Sequence, residues 1–301
     1  MKMRKKNYLN NFTIIIYNMD LYYDRNMKDK IIGPTLLSIE KYFNDNKLNV
    51  NKEWGYLKKT SEINFHWGIK CKFKDNTFFR DILMNKYKYN IIIEQGFLNR
   101  KYYRSFGING FAGFSKIKPV NCPKDRFEKL NIKIKDIDIK NDGYILFCAQ
   151  LPWDTQVQEI DYNKYINKLF ITLKNITNKK IVFRYHPLFK PRGKFNITLP
   201  YYVKKDENEN LIDSLNEAYC VISYNSTSLV DAIIEGKPII ALSKMSIIYD
   251  LATNDLNNIN NLYIPDKNKI LQKMYDISYM QYTEKEYEDG TAIKYIKNLI
   301  K

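Results

Sequence analysis

The chain has 301 residues, a formal net charge of +16 and a 45% hydrophobic fraction that includes 25 Tyr and 16 Phe. That length suits two domains of roughly 150 residues each, and the apolar content excludes global disorder. No apolar run reaches about 18 residues, which excludes a transmembrane helix as an expectation, and the four cysteines (Cys71, Cys122, Cys148, Cys220) lack the spacing of a zinc or redox site.

The basic start, "MKMRKKNYLNNFTIIIYN", contains a short apolar stretch at 12–17. It is too short for a signal peptide and reads as a strand, so a cytoplasmic protein is expected. The positive charge favours polyanionic partners: nucleic acid, an anionic membrane or a phosphorylated ligand. The alternative is compositional, because the sequence is rich in the Lys, Asn, Ile and Tyr typical of an AT-rich genome.

The next predicted strand is "YNIIIEQG" (89–96). Glu94 closes an all-apolar run, where a raised pKa would suit a general base acting on a hydroxyl. A solvated strand-end acid is the alternative. "SFGINGFAGF" (105–114) follows with Gly107, Gly110 and Gly113, and is expected to be a flexible loop able to close over a ligand. It lacks the spacing and position of a dinucleotide fingerprint. The charged, turn-rich stretch 122–143 reads as the connection between domains covering 1–140 and 141–301.

The second half alternates strand and helix. Strands are expected at 144–150, 180–187, 218–225 and 237–243, each a near-continuous apolar run as in a parallel sheet buried on both faces. Helical spacing appears at 161–178, 211–218 and 227–236, and a terminal helix is expected after Gly290. This alternation is the mark of a doubly wound α/β domain. In such sheets ligands sit beyond the carboxyl ends of the strands.

Those strand ends carry the candidates. In "AQLPWDTQV" (149–157), Gln150, Trp153 and Asp154 are placed to meet a sugar, with the Trp ring as an apolar platform and the acid for hydroxyls. A plain turn is equally compatible. In "RYHP" (184–187), Arg184 would grip a phosphate and His186 would orient it or protonate a leaving group near neutral pH. In "SYNSTSLVDAIIEGKPIIAL" (223–242), Ser226, Thr227 and Ser228 open a helix whose free N–H groups suit an anion. Asp231, one turn later, would accept hydrogen bonds from ribose hydroxyls. The competing reading makes Ser226 or Thr227 a plain N-cap.

With these residues assembled, the chain resembles GT-B glycosyltransferases of the capsule-polysaccharide (Kdo-transferase-like) type, including short bacteriophage-encoded relatives. The likeness lies in "EQGFLNR" (94–100), "GINGFAG" (107–113), "CAQLPWDTQV" (148–157), "RYHP", "STSLVDAIIEGKPII" (226–240) and "YDLATNDLNNI" (249–259). Asp stands at 231 where Glu is more usual. The resemblance implies two Rossmann-like domains facing across a cleft: an acceptor-side domain at 1–140, and a donor domain at 141–301 whose terminal helix packs back on the first. It implies no metal and no cofactor, with a nucleotide sugar (a UDP- or CMP-sugar) as co-substrate. Glu94 and His186 would be catalytic. Arg184, Ser226, Thr227 and Ser228 would bind donor phosphate, and Asp231 the ribose. Charge and short length then point to a hydroxymethylated base in phage DNA as acceptor. A capsule or lipopolysaccharide-type glycan is the alternative acceptor. A non-catalytic nucleic-acid-binding protein on a transferase scaffold is a third reading.

Overall fold

The computed structural model describes residues 19–22, 32–51, 62–68, 86–154, 156–157, 160–190 and 197–301. The expected strand at 12–17 and Cys71 lie outside these. The described residues form two α/β sheets with a cleft between them.

The first sheet has six strands: β1 (Met19–Tyr22), β2 (Asn49–Asn51), β3 (Ile63–Trp67), β4 (Tyr89–Gln95), β5 (Tyr103–Ile108) and β11 (Gln281–Thr283), in the order β11-β5-β4-β3-β1-β2. The strands β2, β1, β3 and β4 run parallel, while β5 pairs antiparallel with both β4 and β11. Helix α1 (Ile32–Asp45) covers one face with Leu36, Ile39 and Phe43, spaced at helical intervals and fully buried.

A short helix, α2 (Asp125–Glu128), begins the expected connection, and the chain then stays irregular to Gly143. The second sheet holds β6 (Tyr144–Cys148), β7 (Ile181–Arg184), β8 (Val203–Lys205), β9 (Ala218–Ser223) and β10 (Ile239–Ala241). All its pairings are parallel and its order is β10-β9-β6-β7-β8, so the winding direction reverses between β6 and β9. Helices α3 (Tyr162–Ile176), α4 (Leu211–Asn216) and α5 (Ser228–Ile234) alternate with these strands.

The near-continuous apolar runs are explained by burial on both faces. In β6, Ile145 and Phe147 pack toward α3, where Ile166, Phe170 and Leu173 lie. Leu146 and Cys148 point the other way, into a core shared with Leu229 and Ile233 of α5. Successive side chains of a strand face opposite sides, so a strand covered twice has no polar position to show. In β4, likewise, Ile91 and Ile93 join the α1 core while Ile92 joins the second one. That second core spans both sheets, placing Phe97 and Phe111 with Met245, Ile247 and Ile248.

Three late elements follow: α6 (Lys267–Ser278), α7 (Glu284–Glu288) and α8 (Thr291–Leu299). From Gln281 onward the chain returns to the first sheet. Strand β11 extends that sheet, and Tyr287, Ala292, Ile293 and Ile296 complete the α1 core. Arg126 of α2 fixes the return, pairing with Glu286 at 2.8 Å and lying 4.1 Å over the Tyr282 ring.

The stretch 105–114 is not the flexible loop its glycines suggest. Residues up to Ile108 belong to β5, and the rest is packed against the second domain. The Gly113 N–H donates to the Met245 carbonyl at 2.8 Å, and a Cβ on Gly113 would lie 2.0 Å from the Lys244 carbonyl oxygen. Glycine here permits close backbone approach between the two halves. The Gly-Lys-Pro turn is also structural. Gly236 takes a left-handed φ of 72° just past α5 and lets the chain reverse into β10.

Candidate functional site

A cleft of ≈ 520 Å³ lies over the carboxyl ends of β6, β7 and β9 and is closed on the other side by the end of β4. It sits at the switch point of the second sheet, where the chain leaves β6 and β9 in opposite directions. Of the expected residues, Glu94, Gln150, Asp154, Arg184, His186, Ser226, Thr227, Ser228 and Asp231 all line it, and Trp153 does not.

The switch point is held open by side-chain amides. Gln150 donates from Nε2 to Asn225 Oδ1, and its Oε1 accepts the Asn225 N–H at 3.2 Å. Both are buried. Gln150 therefore braces two strand ends rather than presenting a free amide to a sugar. Trp153 is likewise corrected: it stacks on Phe189 at 5.9 Å, and Phe189 stacks on Tyr185 at 4.9 Å. Proline at 152 turns the chain so that the indole joins this aromatic row beside the cleft. Asp154 does reach the cleft, and its Oδ1 accepts the Gln156 N–H at 3.0 Å.

Arg184 is engaged elsewhere. Its Nη1 donates to Asp206 Oδ2 at 2.5 Å, to the Asn208 carbonyl at 2.9 Å and to Ser214 Oγ at 3.1 Å. Nη2 donates to the Glu209 carbonyl at 2.8 Å. The pair with Asp206 is largely buried, so the guanidinium shapes the 206–210 wall and its charge is neutralised there. Arg184 still lines the cleft, with this pairing occupying part of the guanidinium that was expected to grip a phosphate.

His186 accepts the Leu188 N–H on Nδ1 at 3.1 Å, so the neutral ring carries its proton on Nε2. Burial holds its pKa below the ordinary value, with Asp154 pulling it up and Arg100 pushing it further down. Burial thus favours the neutral ring, which offers its Nε2–H as a hydrogen-bond donor.

The start of α5 also differs from expectation. Thr227 is the N-cap and makes no side-chain cap bond. The Ser228 N–H goes to Ser226 Oγ at 3.2 Å, and the next two N–H groups reach the carbonyls of Ser226 and Thr227. These N–H groups are engaged, and the helix has only seven residues. What the turn offers the cleft is hydroxyls, not a set of free N–H donors. Burial raises the Asp231 carboxyl and Glu235 adds to this, while Arg100 lowers it. The Asp231 carboxylate makes no hydrogen bond among the described residues, so both of its oxygens remain free to accept.

Glu94 stands at the opposite wall, with its carboxylate over Gly68 at the end of β3. Cys148 on the cleft floor is no nucleophile: burial pushes its thiol up to about 12. Among the described residues no group of three or more His, Cys, Asp or Glu is arranged to hold a metal ion.

Sequence reading missed Arg100. It stands on the Glu94 wall, and its Nη1 donates across the cleft to Thr227 Oγ1. The signal was present, since Arg100 is the only basic residue in 91–100 and closes a motif already singled out. Asn225 was named only as a strand end, and its partnership with Gln150 has no local signature.

No protein-family model matches the chain, and no curated protein matches it. Among solved structures it is similar to the beta Kdo 2,4 transferase of Thermosulfurimonas dismutans KpsC, with a TM-score of 0.56 at 13% identity over 89% of this chain and 92% of that one. It is also similar to the beta Kdo 2,7 transferase of the same organism's KpsC, with a TM-score of 0.50 at 16% identity over 94% of this chain and 100% of that one. Two α/β sheets facing across a cleft, together with these neighbours, show that the chain has the GT-B glycosyltransferase fold.

Proposed function

We propose that the protein is a nucleotide-sugar-dependent glycosyltransferase acting on a saccharide acceptor of the surface-glycan type. The observation that carries this reading is the cleft, which sets Glu94 of one domain opposite His186, Ser226–Ser228 and Asp231 of the other. Its volume suits a small molecule buried between domains. In this reading Asp231 accepts hydrogen bonds from the donor's ribose, and the hydroxyls of Ser226, Thr227 and Ser228 meet its phosphate. Glu94 takes the proton of an acceptor hydroxyl, whose oxygen attacks the anomeric carbon. The bond from that carbon to the phosphate oxygen breaks, and His186 Nε2–H donates to the departing oxygen.

The saccharide acceptor is preferred over a DNA base for a physical reason. The chain's +16 charge is not concentrated in the cleft, whose lining carries Glu94, Asp154, Glu209 and Asp231 against Arg100 and Arg184. One of those arginines is already paired with Asp206. A groove built for a polyanion would show the reverse balance. The two solved structures described above are named as Kdo transferases, which supports the same choice. No helix among the described residues is long and apolar enough to cross a membrane.

The test is incubation with a pool of UDP-, GDP-, CMP- and dTDP-sugars. Acidic oligosaccharides serve as acceptors in one tube and DNA containing 5-hydroxymethylated pyrimidines in another, with released nucleotide and product mass read together. A mass gain on the oligosaccharide with matching nucleotide release is the expected result. A gain on the DNA alone would reverse the acceptor, and no release in any tube would overturn the transferase reading.

A further inference from the structure

The cleft just described has an electrostatic deficit. A donor phosphate carries negative charge, yet four carboxylates line the site and Arg184 is tied to Asp206. The Ser226–Ser228 hydroxyls and a neutral His186 supply hydrogen bonds without charge. Arg100 remains. Its one side-chain hydrogen bond goes to Thr227 Oγ1, and no carboxylate pairs with it among the described residues. Four of the five N–H donors of a guanidinium are then left for a ligand.

The backbone that carries it is braced. Gln281, buried on β11, accepts the N–H groups of Phe97 and Leu98 at 2.9 Å each and donates to the Leu98 carbonyl at 3.0 Å. Arg104, also buried, donates to the Arg100 carbonyl at 3.3 Å. Asn99 takes a left-handed φ of 48°, turning the next residue toward the second domain. Arg100 is near enough to Asp231 and to His186 for its charge to act on both.

We propose that Arg100 reaches from the Glu94 wall to grip the donor's phosphate at Thr227, so that the acceptor-side domain supplies the cation of the donor site. This rests on the donor site proposed above. A guanidinium so placed both neutralises the bound phosphate and stabilises the charge that develops as it leaves. Because Glu94 and Arg100 share one braced segment, donor capture and base placement are linked.

The test is calorimetric titration of the full-length protein and of Arg100→Gln with UDP, GDP, dTDP and CMP, each beside its parent nucleoside. At least one nucleotide is expected to bind the unmodified protein. In Arg100→Gln its affinity should fall about 10–100-fold, as for loss of a charge-assisted contact, while nucleoside affinity stays unchanged. If the nucleotide binds both proteins equally, Arg100 is only a tie between domains and the proposal is overturned, with the donor site intact. Equal loss for nucleotide and nucleoside would overturn it too, by making Arg100 a shaper of the cleft. Binding of no nucleotide by the unmodified protein would sink this proposal and the donor site together. Arg100→Met, which keeps most of the alkyl stem, repeats the comparison if the Gln variant unfolds.

Discussion

The two walls of the cleft are built on different principles. The wall from the second domain is a set of strand ends: β6 delivers Gln150, β7 delivers His186, and β9 delivers Asn225 and the turn into α5. Each group follows a strand in a parallel sheet, and the repeated chain path brings the ends to one edge. The wall from the first domain is chiefly one segment, 94–100, with Phe111 and Ala112 beside it; it is held by Gln281 from far along the chain and by nearby Arg104. A wall made of strand ends shares its load over several elements. A wall made of one braced segment depends on its braces.

Substitutions can break this comparison, and the largest effects should fall on the reacting groups. Glu94→Gln and Asp231→Ala, on opposite walls, should each lower kcat/KM by about 10²–10⁴-fold, the first with an unchanged urea midpoint and the second with no drop in it. Survival of transfer in both variants would dissolve the assignment of either wall. Next come the supports. Asp206→Ala leaves the Arg184 guanidinium buried without its partner and should cost about 3–5 kcal/mol in urea unfolding. Gln281→Leu strips three buried backbone groups of their partner and should cost about 3 kcal/mol. It should also impair transfer, since Glu94 and Arg100 lose their brace. An active, merely less stable variant would show that the segment holds itself.

A smaller effect concerns pH. Folding leaves His186 less protonated than the unfolded chain, so its contribution to stability is neutral above the ordinary value of 6.5 and falls as pH drops below it. Asp231 acts oppositely. Its raised carboxyl disfavours folding at neutral pH, and that cost is relieved as pH falls through its folded value toward 3.8. Urea midpoints of the unmodified protein and His186→Gln, compared from about pH 7 to about pH 5, should differ in slope with the variant the flatter. Parallel slopes would place the His186 ring in a less buried setting than the structure does. Trp153→Ala should do least, costing about 1 kcal/mol through its stack on Phe189 with nucleotide affinity retained. A large loss of sugar transfer in that variant would return Trp153 to the cleft.

Much of the second domain was legible because its signals are local. Apolar runs at 144–150, 180–187, 218–225 and 237–243 became β6, β7, β9 and β10, and the helical spacing at 161–178 became α3, with Asp161 as its N-cap. Chemistry-bearing residues at those strand ends did converge, because a parallel sheet aligns its carboxyl edge. The same reasoning missed distant partners: Arg184 is ion-paired with Asp206, and Trp153 stacks on Phe189. The glycines at 107–113 suggested mobility, yet Gly113 serves close contact with Lys244.

The sequence by itself therefore determined most strands and helices of the second domain, which of their ends carry polar groups, and that this domain winds as a parallel sheet. Periodicity and strand-end chemistry are properties of short windows, so a single chain displays them. Only the tertiary structure decided which of those groups face a ligand and which serve one another. It also decided that residues 281–299 return to the first sheet, that Gln281 braces the Glu94 wall, and that Arg100 crosses the cleft. Those outcomes depend on pairings across 100 residues or more, and a hydrogen bond or an ion pair leaves no mark in the sequence until folding brings its two ends together.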